Sequence, residues 1–173
     1  MSVLEKFKSI RTFVFDVDGV MTDGSVQIFE TGEQVRRMST RDGYSLQLAI
    51  KKGYRIVVIS GALSEGVRQR LHYLGVRDIF LDIHDKVAVL RQYAKDHSLD
   101  INDMLYMGDD IPDYLPMQFV GLACAPADAA PEIRHIAAYI SSFNGGQGCV
   151  RDVIEKVLKL NGQWELNTTV ASK

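Results

Sequence analysis

Short apolar runs alternate with amphipathic stretches along this chain. "TFVFDV" (12–17), "YRIVVIS" (54–60), "DIFLD" (78–82), "MLYMGD" (104–109) and "FVGLA" (119–123) are rich in Val, Ile and Phe and are bounded by Gly or Asp. Apolar runs of this length, continuous rather than alternating, predict strands buried on both faces, as in a parallel sheet. Helical periodicity fills the intervals. Val67, Leu71 and Leu74 share one face, as do Val87, Leu90 and Ala94, and later Val150, Val153, Ile154, Val157 and Leu158. Leu46, Ala49 and Ile50 give a weaker helical pattern over 43–52. This order predicts an α/β fold with a doubly wound, mostly parallel, Rossmann-like sheet and helices on both faces.

Two segments break the alternation. Residues 25–39, "SVQIFETGEQVRRMS", read as two strands around the turn "ETGE", a hairpin projecting from the α/β body. It is either a solvent-exposed decoration or an oligomer contact, since hairpin edges invite pairing. The tail "NGQWELNTTVASK" (161–173) has no periodicity. It is either a frayed end or, through Trp164 and Leu166, a segment that docks on something such as a neighbouring subunit. The expected organisation is one domain, 1–160, carrying the hairpin and followed by the tail.

Bulk properties narrow the function. A length of 173 residues suits one domain with a proper core. With 46% hydrophobic and 24% charged residues the composition is that of a globular domain. A net charge of -2 without a basic block gives nucleic-acid binding no electrostatic support. No apolar run is long enough for a membrane span, and "MSVLEKFKSIRT" lacks the apolar region of a signal peptide. Cys124 and Cys149 have neither metal-type nor disulfide-framework spacing, so a reducing cytoplasm is expected.

The chemistry gathers at strand ends. Asp16 and Asp18 close the first strand, Ser60 and Gly61 the second, and Asp109 and Asp110 the one at 104–108. Ligands of open parallel sheets bind outside the carboxyl ends of the strands. Lys86, at a helix start after "DIHD", can reach the same edge. Crowded carboxylates need a cation, and hard oxygen ligands beside a phosphate site suit Mg²⁺. One carboxylate can act as a nucleophile and a second as general acid, then base. Taken alone, "DVD", "SG", "GDD" and a lysine at a helix start are each ordinary turn or cap features. Their joint order on successive strand ends is what points to a site.

"DVDGVMTD", Ser60, Lys86 and "GDDIPD" together resemble the four motifs of the haloacid dehalogenase superfamily, over nearly the whole chain. The resemblance implies that Asp16 is the nucleophile and a Mg²⁺ ligand. Asp18 would be the acid/base, with its backbone carbonyl on the metal, and Asp109 the third protein ligand. Ser60 and Lys86 would hold the transferring phosphoryl group, and Asp110 and Asp113 would support the metal shell. Only 43 residues (17–59) separate Asp16 from Ser60, and 25 (61–85) separate Ser60 from Lys86, so neither interval holds a cap domain.

With "TRDGYS", "GDDIPDYLPM" and "GGQGCVRDVIE", the chain is similar to the capless sugar-acid phosphatases of lipopolysaccharide precursor synthesis. That implies a Mg²⁺-dependent phosphatase acting on an eight-carbon keto-sugar acid phosphate, with a nine-carbon acid phosphate as the alternative. It also implies a homotetramer in which hairpins meet at the centre and neighbouring subunits cover each site. Arg41, Asp42 and Gly43 would lie near the mouth, and Gly146 of the glycine loop and Gly61 beside the substrate. Ala62 stands where relatives often carry a charged residue after the "TG" pair, and the expected substitute is Arg68 or an arginine of the next subunit. A non-catalytic partner of a sugar-nucleotide enzyme is the other reading. Against it, every catalytic residue type is present and the chain carries no transferase portion.

Overall fold

The computed structural model describes residues 2–171. Its centre is a six-stranded parallel sheet built from β1 (Thr12–Phe15), β4 (Arg55–Ile59), β5 (Asp78–Phe80), β6 (Met104–Met107), β7 (Leu122–Ala125) and β8 (Tyr139–Ile140). The strand order is β5-β4-β1-β6-β7-β8. The chain winds outward from β1 to one edge, then crosses back past β1 and winds to the other. Order reverses at β1, which makes the carboxyl end of β1 the switch point where such sheets bind ligands.

Both faces of the sheet are covered, which is why the strand sequences are apolar throughout. All four residues of β1 are buried. Phe13 and Phe15 point to one face, into a core formed with α1 (Val3–Ser9), α2 (Thr40–Lys51), α3 (Glu65–Tyr73) and α7 (Cys149–Leu160). Val14 points to the other, with Val57, Ile59, Tyr106 and residues of α4 (Lys86–Asp96), α5 (Tyr114–Phe119) and α6 (Pro131–Ile136). The period-two alternation of a strand thus serves two hydrophobic layers at once. The α7 stripe of Val150, Val153, Ile154, Val157 and Leu158 is fully buried, as its spacing requires.

The sequence reading needs correction at several elements. The strand expected over 119–123 is shifted along the chain: Phe119 ends α5, and β7 runs Leu122–Ala125. Six-residue helices such as α5 and α6 are too short to show helical periodicity, and β8 has two residues. The helix expected over 43–52 starts at Thr40, because Ser39 caps it by accepting the Asp42 N–H at 3.4 Å. The hairpin exists but is smaller than expected, with β2 (Gln27–Ile28) and β3 (Gln34–Val35) closed by a Phe29 N–H bond to the Glu33 carbonyl at 2.9 Å. Among the described residues nothing forms a cap domain, and no helix is long and apolar enough to cross a membrane.

The tail is not a frayed end. Trp164 meets Tyr44 edge-on, with ring centroids 6.3 Å apart, and lies 5.3 Å from the Arg151 guanidinium. Tyr44 donates its hydroxyl proton to the Asn167 carbonyl at 3.2 Å, and Gln47 donates to the Ala171 carbonyl at 3.0 Å. The segment therefore lies along α2 of its own chain. Residues 172 and 173 of the expected tail lie outside the described residues.

Candidate active site

Parallel register sets the site. Phe15 pairs with Val58 on one side and Met107 on the other, so the ends of β1, β4 and β6 lie level. Asp16 leaves β1 there, with its N–H still bonded to the Met107 carbonyl at 3.1 Å. A cleft of about 410 Å³ opens at this edge, lined by Asp16, Asp18, Ser60, Lys86 and Asp109 together with Gly61, Ala62, His84, Asp110 and Asp113.

The loop after β1 is held from below. Val20 and Met21 are buried, and the N–H groups of Val20, Met21 and Thr22 all reach the Val17 carbonyl. The Thr22 hydroxyl accepts from the Gly19 and Gly24 N–H groups at 3.3 and 3.2 Å. Gly19 has φ +82°, and a Cβ there would sit 1.9 Å from Asp109 Oδ2. The glycine of "DVDG" is thus what lets the Asp109 carboxylate approach the loop that carries Asp16 and Asp18.

Three carboxylates meet in the cleft: oxygens of Asp16, Asp109 and Asp113 lie within 4.8 Å of one another. Lys86 Nζ is 3.0 Å from Asp16 Oδ1 and 2.8 Å from Asp113 Oδ1. Asp113 is engaged on both oxygens from within the protein. Its Oδ1 also accepts the Tyr106 hydroxyl at 2.7 Å, and its Oδ2 accepts the Asp109 N–H at 3.1 Å. It therefore braces Lys86 and Asp109. Asp16 and Asp109 keep lone pairs for a cation.

The electrostatics agree. Burial, then the Asp113 charge, push the Asp16 carboxyl up to about 8, against the pull of Lys86. Burial and the charges of Asp113 and Asp110 push Asp109 up to about 7. Burial opposes the charge on Lys86, yet Asp113 and Asp16 outweigh it and raise its pKa. Crowded carboxyls that resist ionising are what a divalent cation relieves, so the residues present fit a hard cation held by oxygen.

Asp18 stands apart from this cluster. Its carboxylate faces Arg36, which follows β3: Nε lies 2.7 Å from Oδ1 and Nη2 3.1 Å from Oδ2. Ser60 is buried at the end of β4, its Oγ accepting the Ala62 N–H at 3.3 Å. Asp110 lines the cleft but is exposed, and its carboxylate caps the short helical turn after it by accepting the Ile111 N–H. A role for it in the metal shell has no geometric support here.

Five residues expected at the mouth or beside the substrate lie outside the cleft. Asp42 is 3% exposed, and its Oδ1 accepts the Arg151 N–H of α7 at 2.8 Å. It caps a helix whose own N-cap, Gly148, has no side chain to offer. The α7 N-terminus is therefore met by an internal aspartate. Gly43 packs against Leu74 and Arg70 of the α3 side, and Arg41 lines a separate 280 Å³ hollow with Trp164 and Leu166. Arg68 pairs with Glu65 at 3.5 Å on its own helix and does not stand in for Ala62. Gly146 donates to the Val20 carbonyl at 2.9 Å, and a Cβ on Gly145 would lie 2.0 Å from the Gly19 carbonyl oxygen. The glycine loop thus props the "DVDG" loop from behind. Sequence reasoning missed Arg36 and His84. The paired arginines of "VRR" in an otherwise exposed hairpin were the available signal for the first.

Comparison with known proteins accords with this geometry. No protein-family model matches the chain. The 3-deoxy-D-manno-octulosonate 8-phosphate phosphatase of Escherichia coli (strain B / BL21-DE3) is 30% identical over 161 residues, covering 93% of this chain and 86% of the relative. The crystal structure of the Yersinia pestis phosphatase of the same name superposes with a TM-score of 0.91 at 30% identity, covering 93% of this chain and 87% of that one. The Moraxella catarrhalis phosphatase of that name, solved with magnesium, phosphate and KDO, superposes with a TM-score of 0.88 at 30% identity, covering 91% and 90%. A capless α/β fold with carboxylates and a lysine at the sheet's switch point defines a haloacid dehalogenase superfamily hydrolase. Within that class the chain belongs to the 3-deoxy-D-manno-octulosonate 8-phosphate phosphatase family.

Proposed function

We propose that this chain hydrolyses 3-deoxy-D-manno-octulosonate 8-phosphate to the free sugar acid and phosphate, through a phosphoryl group carried on Asp16, in lipopolysaccharide precursor synthesis. The observation that carries the reading is the pairing of a buried Asp16 with Lys86 at 3.0 Å, level with Ser60 and Asp109 at the switch point. Family membership supplies the substrate.

Asp16 attacks phosphorus, and the ester bond to the sugar oxygen breaks. Asp18 gives its proton to the departing oxygen. Asp18 then takes a proton from water, the water oxygen attacks phosphorus, and the bond to Asp16 breaks. Lys86 and the Ser60 hydroxyl hold the phosphoryl oxygens. Asp16, Asp109 and the Asp18 backbone carbonyl would hold Mg²⁺. The metal would supply positive charge for the transferring group and permit Asp16 to stay ionised. Asp113 keeps Lys86 and Asp109 in place.

The same reading includes a homotetramer in the cytoplasm, with hairpins meeting at its centre and neighbours covering each site. It is supported by the exposed Ile28, Phe29 and Val35 of the hairpin, by a cleft that no cap covers among the described residues, and by two free, buried cysteines. The test is phosphate release with Mg²⁺ from a panel of sugar-acid phosphates, scored by kcat/KM. The eight-carbon substrate is expected to lead the nine-carbon one. A preference for the nine-carbon acid would reassign the substrate, and no release from any would favour a non-catalytic binding role.

A further inference from the structure

The hairpin is exposed along both of its strands, yet it buries one charged side chain. The Arg36 side chain is 5% exposed and holds the Asp18 carboxylate through two parallel bonds, at 2.7 and 3.1 Å. Its third nitrogen, Nη1, is buried with no hydrogen-bond partner. A buried donor left unpaired costs about as much as a charge-assisted bond returns. As a contribution to stability alone the arrangement is poor, and a well-packed apolar pair in place of both side chains would serve the fold as well or better.

What the pair does provide is orientation. An Asp carboxylate turns easily about its last torsion, whose preference is broad and roughly two-fold. A planar guanidinium bonded to both oxygens fixes that torsion. Each carboxylate oxygen has a second lone-pair site, so the grip leaves positions free for another partner. Asp18 is 30% exposed in its side chain and lines the cleft, so those positions are reachable from it.

We propose that Arg36 is a positioning residue for Asp18, setting from the hairpin the plane of the carboxylate that serves phosphoryl transfer as acid and base. The proposal rests on the phosphatase reading above. Arg36 directly follows the last strand residue of the hairpin, so the placement of the hairpin and the orientation of Asp18 are one structural variable. Arg36 does not line the cleft, and its two ion-pair bonds both go to Asp18.

The experiment uses the full chain with Mg²⁺ and 3-deoxy-D-manno-octulosonate 8-phosphate. It compares wild type, Arg36→Lys, Arg36→Ala, and Arg36→Ala with millimolar guanidinium chloride. Misplacing a catalytic group lowers turnover by about 100-fold, so Arg36→Ala is expected to lose that much in kcat with little change in KM. Added guanidinium, which can refill the gap between hairpin and Asp18, is expected to restore part of kcat. Arg36→Lys, with one contact in place of two, should fall between the extremes and serves as the decisive variant if the alanine form does not fold. An unchanged kcat, a loss carried by KM, or a kcat loss that guanidinium does not relieve overturns the positioning role. For the lysine form, wild-type turnover does the same. Absence of turnover in wild type itself overturns the phosphatase reading and takes this proposal with it, whereas turnover that ignores Arg36 overturns the proposal alone.

Discussion

Asp16 and Asp42 are both buried aspartates with raised pKa values, about 8 and about 6, and burial is the leading cause for each. Their surroundings separate them. Asp16 opens on a cleft, with other carboxylates nearby and one lysine between them. Asp42 is sealed between α2 and α7, where its Oδ1 takes the Arg151 N–H and its Oδ2 has no partner. Burial of a carboxylate therefore does not mark a site. Crowding of like charges at an open sheet edge does, because that excess is resolved only by something arriving from outside.

The largest break in this comparison should come from Asp16→Asn. The amide is a poor nucleophile, so turnover should fall by a factor on the order of a thousand or more while the circular dichroism spectrum stays that of wild type. The same substitution at Asp42 should change kcat by no more than roughly three-fold, because it touches no reacting atom. Comparable losses in both variants would remove the distinction.

Metal and pH test it next. In EDTA the folded state holds protons on Asp16 and Asp109 up to about pH 8 and 7, where the unfolded chain has already lost them. The folded pKa values are raised, so this contribution is fully present at low pH and is lost as pH climbs from the unfolded carboxylate range through those values. Metal-free thermal stability should thus decline toward pH 8, and Mg²⁺ should add more at pH 8.5 than at pH 6. At a hundred-fold excess over Kd the gain is about 2.7 kcal/mol, several degrees in Tm. A Mg²⁺ shift that is the same at both pH values would argue that the carboxyl cluster does not hold the ion.

These contrasts also show where the sequence was legible. The strand ends could be read because β1, β4 and β6 are buried on both faces, so their apolar runs stop where the sheet stops and the next polar residue must sit at its edge. Asp16, Ser60 and Asp109 followed from that alone. Asp42 and Gly146 were misplaced because "RDG" and "GGQG" look alike whether they face a ligand or another piece of chain. The contact that decides, an α2 carboxylate on the α7 N-terminus, spans more than a hundred residues of sequence. The role of Arg36 was missed for the same reason: the arginine pair is visible, but its partner lies eighteen residues earlier, across a turn whose shape no periodicity encodes. The α5 boundary failed on length, since "YLPMQF" offers less than two turns from which to read a period.

The smallest effect is the one that isolates Asp42. Asp42→Ala removes the cap on α7 and should cost about 1 kcal/mol, a few degrees in Tm for a chain of this size, with activity nearly unchanged. Asp42→Asn keeps an oxygen for the Arg151 N–H and removes the buried charge, so it separates capping from ionisation. Below the unfolded carboxylate range both forms are neutral and the asparagine gains nothing. As pH rises toward about 6 the unfolded wild type ionises while the folded Asp42 resists. Wild type therefore loses stability relative to the variant across that window, and the difference holds level above it. Thermal unfolding of the three proteins from pH 4 to pH 8 reads this directly. A gap between asparagine and wild type that does not open with pH would mean that the α7 N-terminus stabilises the Asp42 charge enough to offset its burial in full.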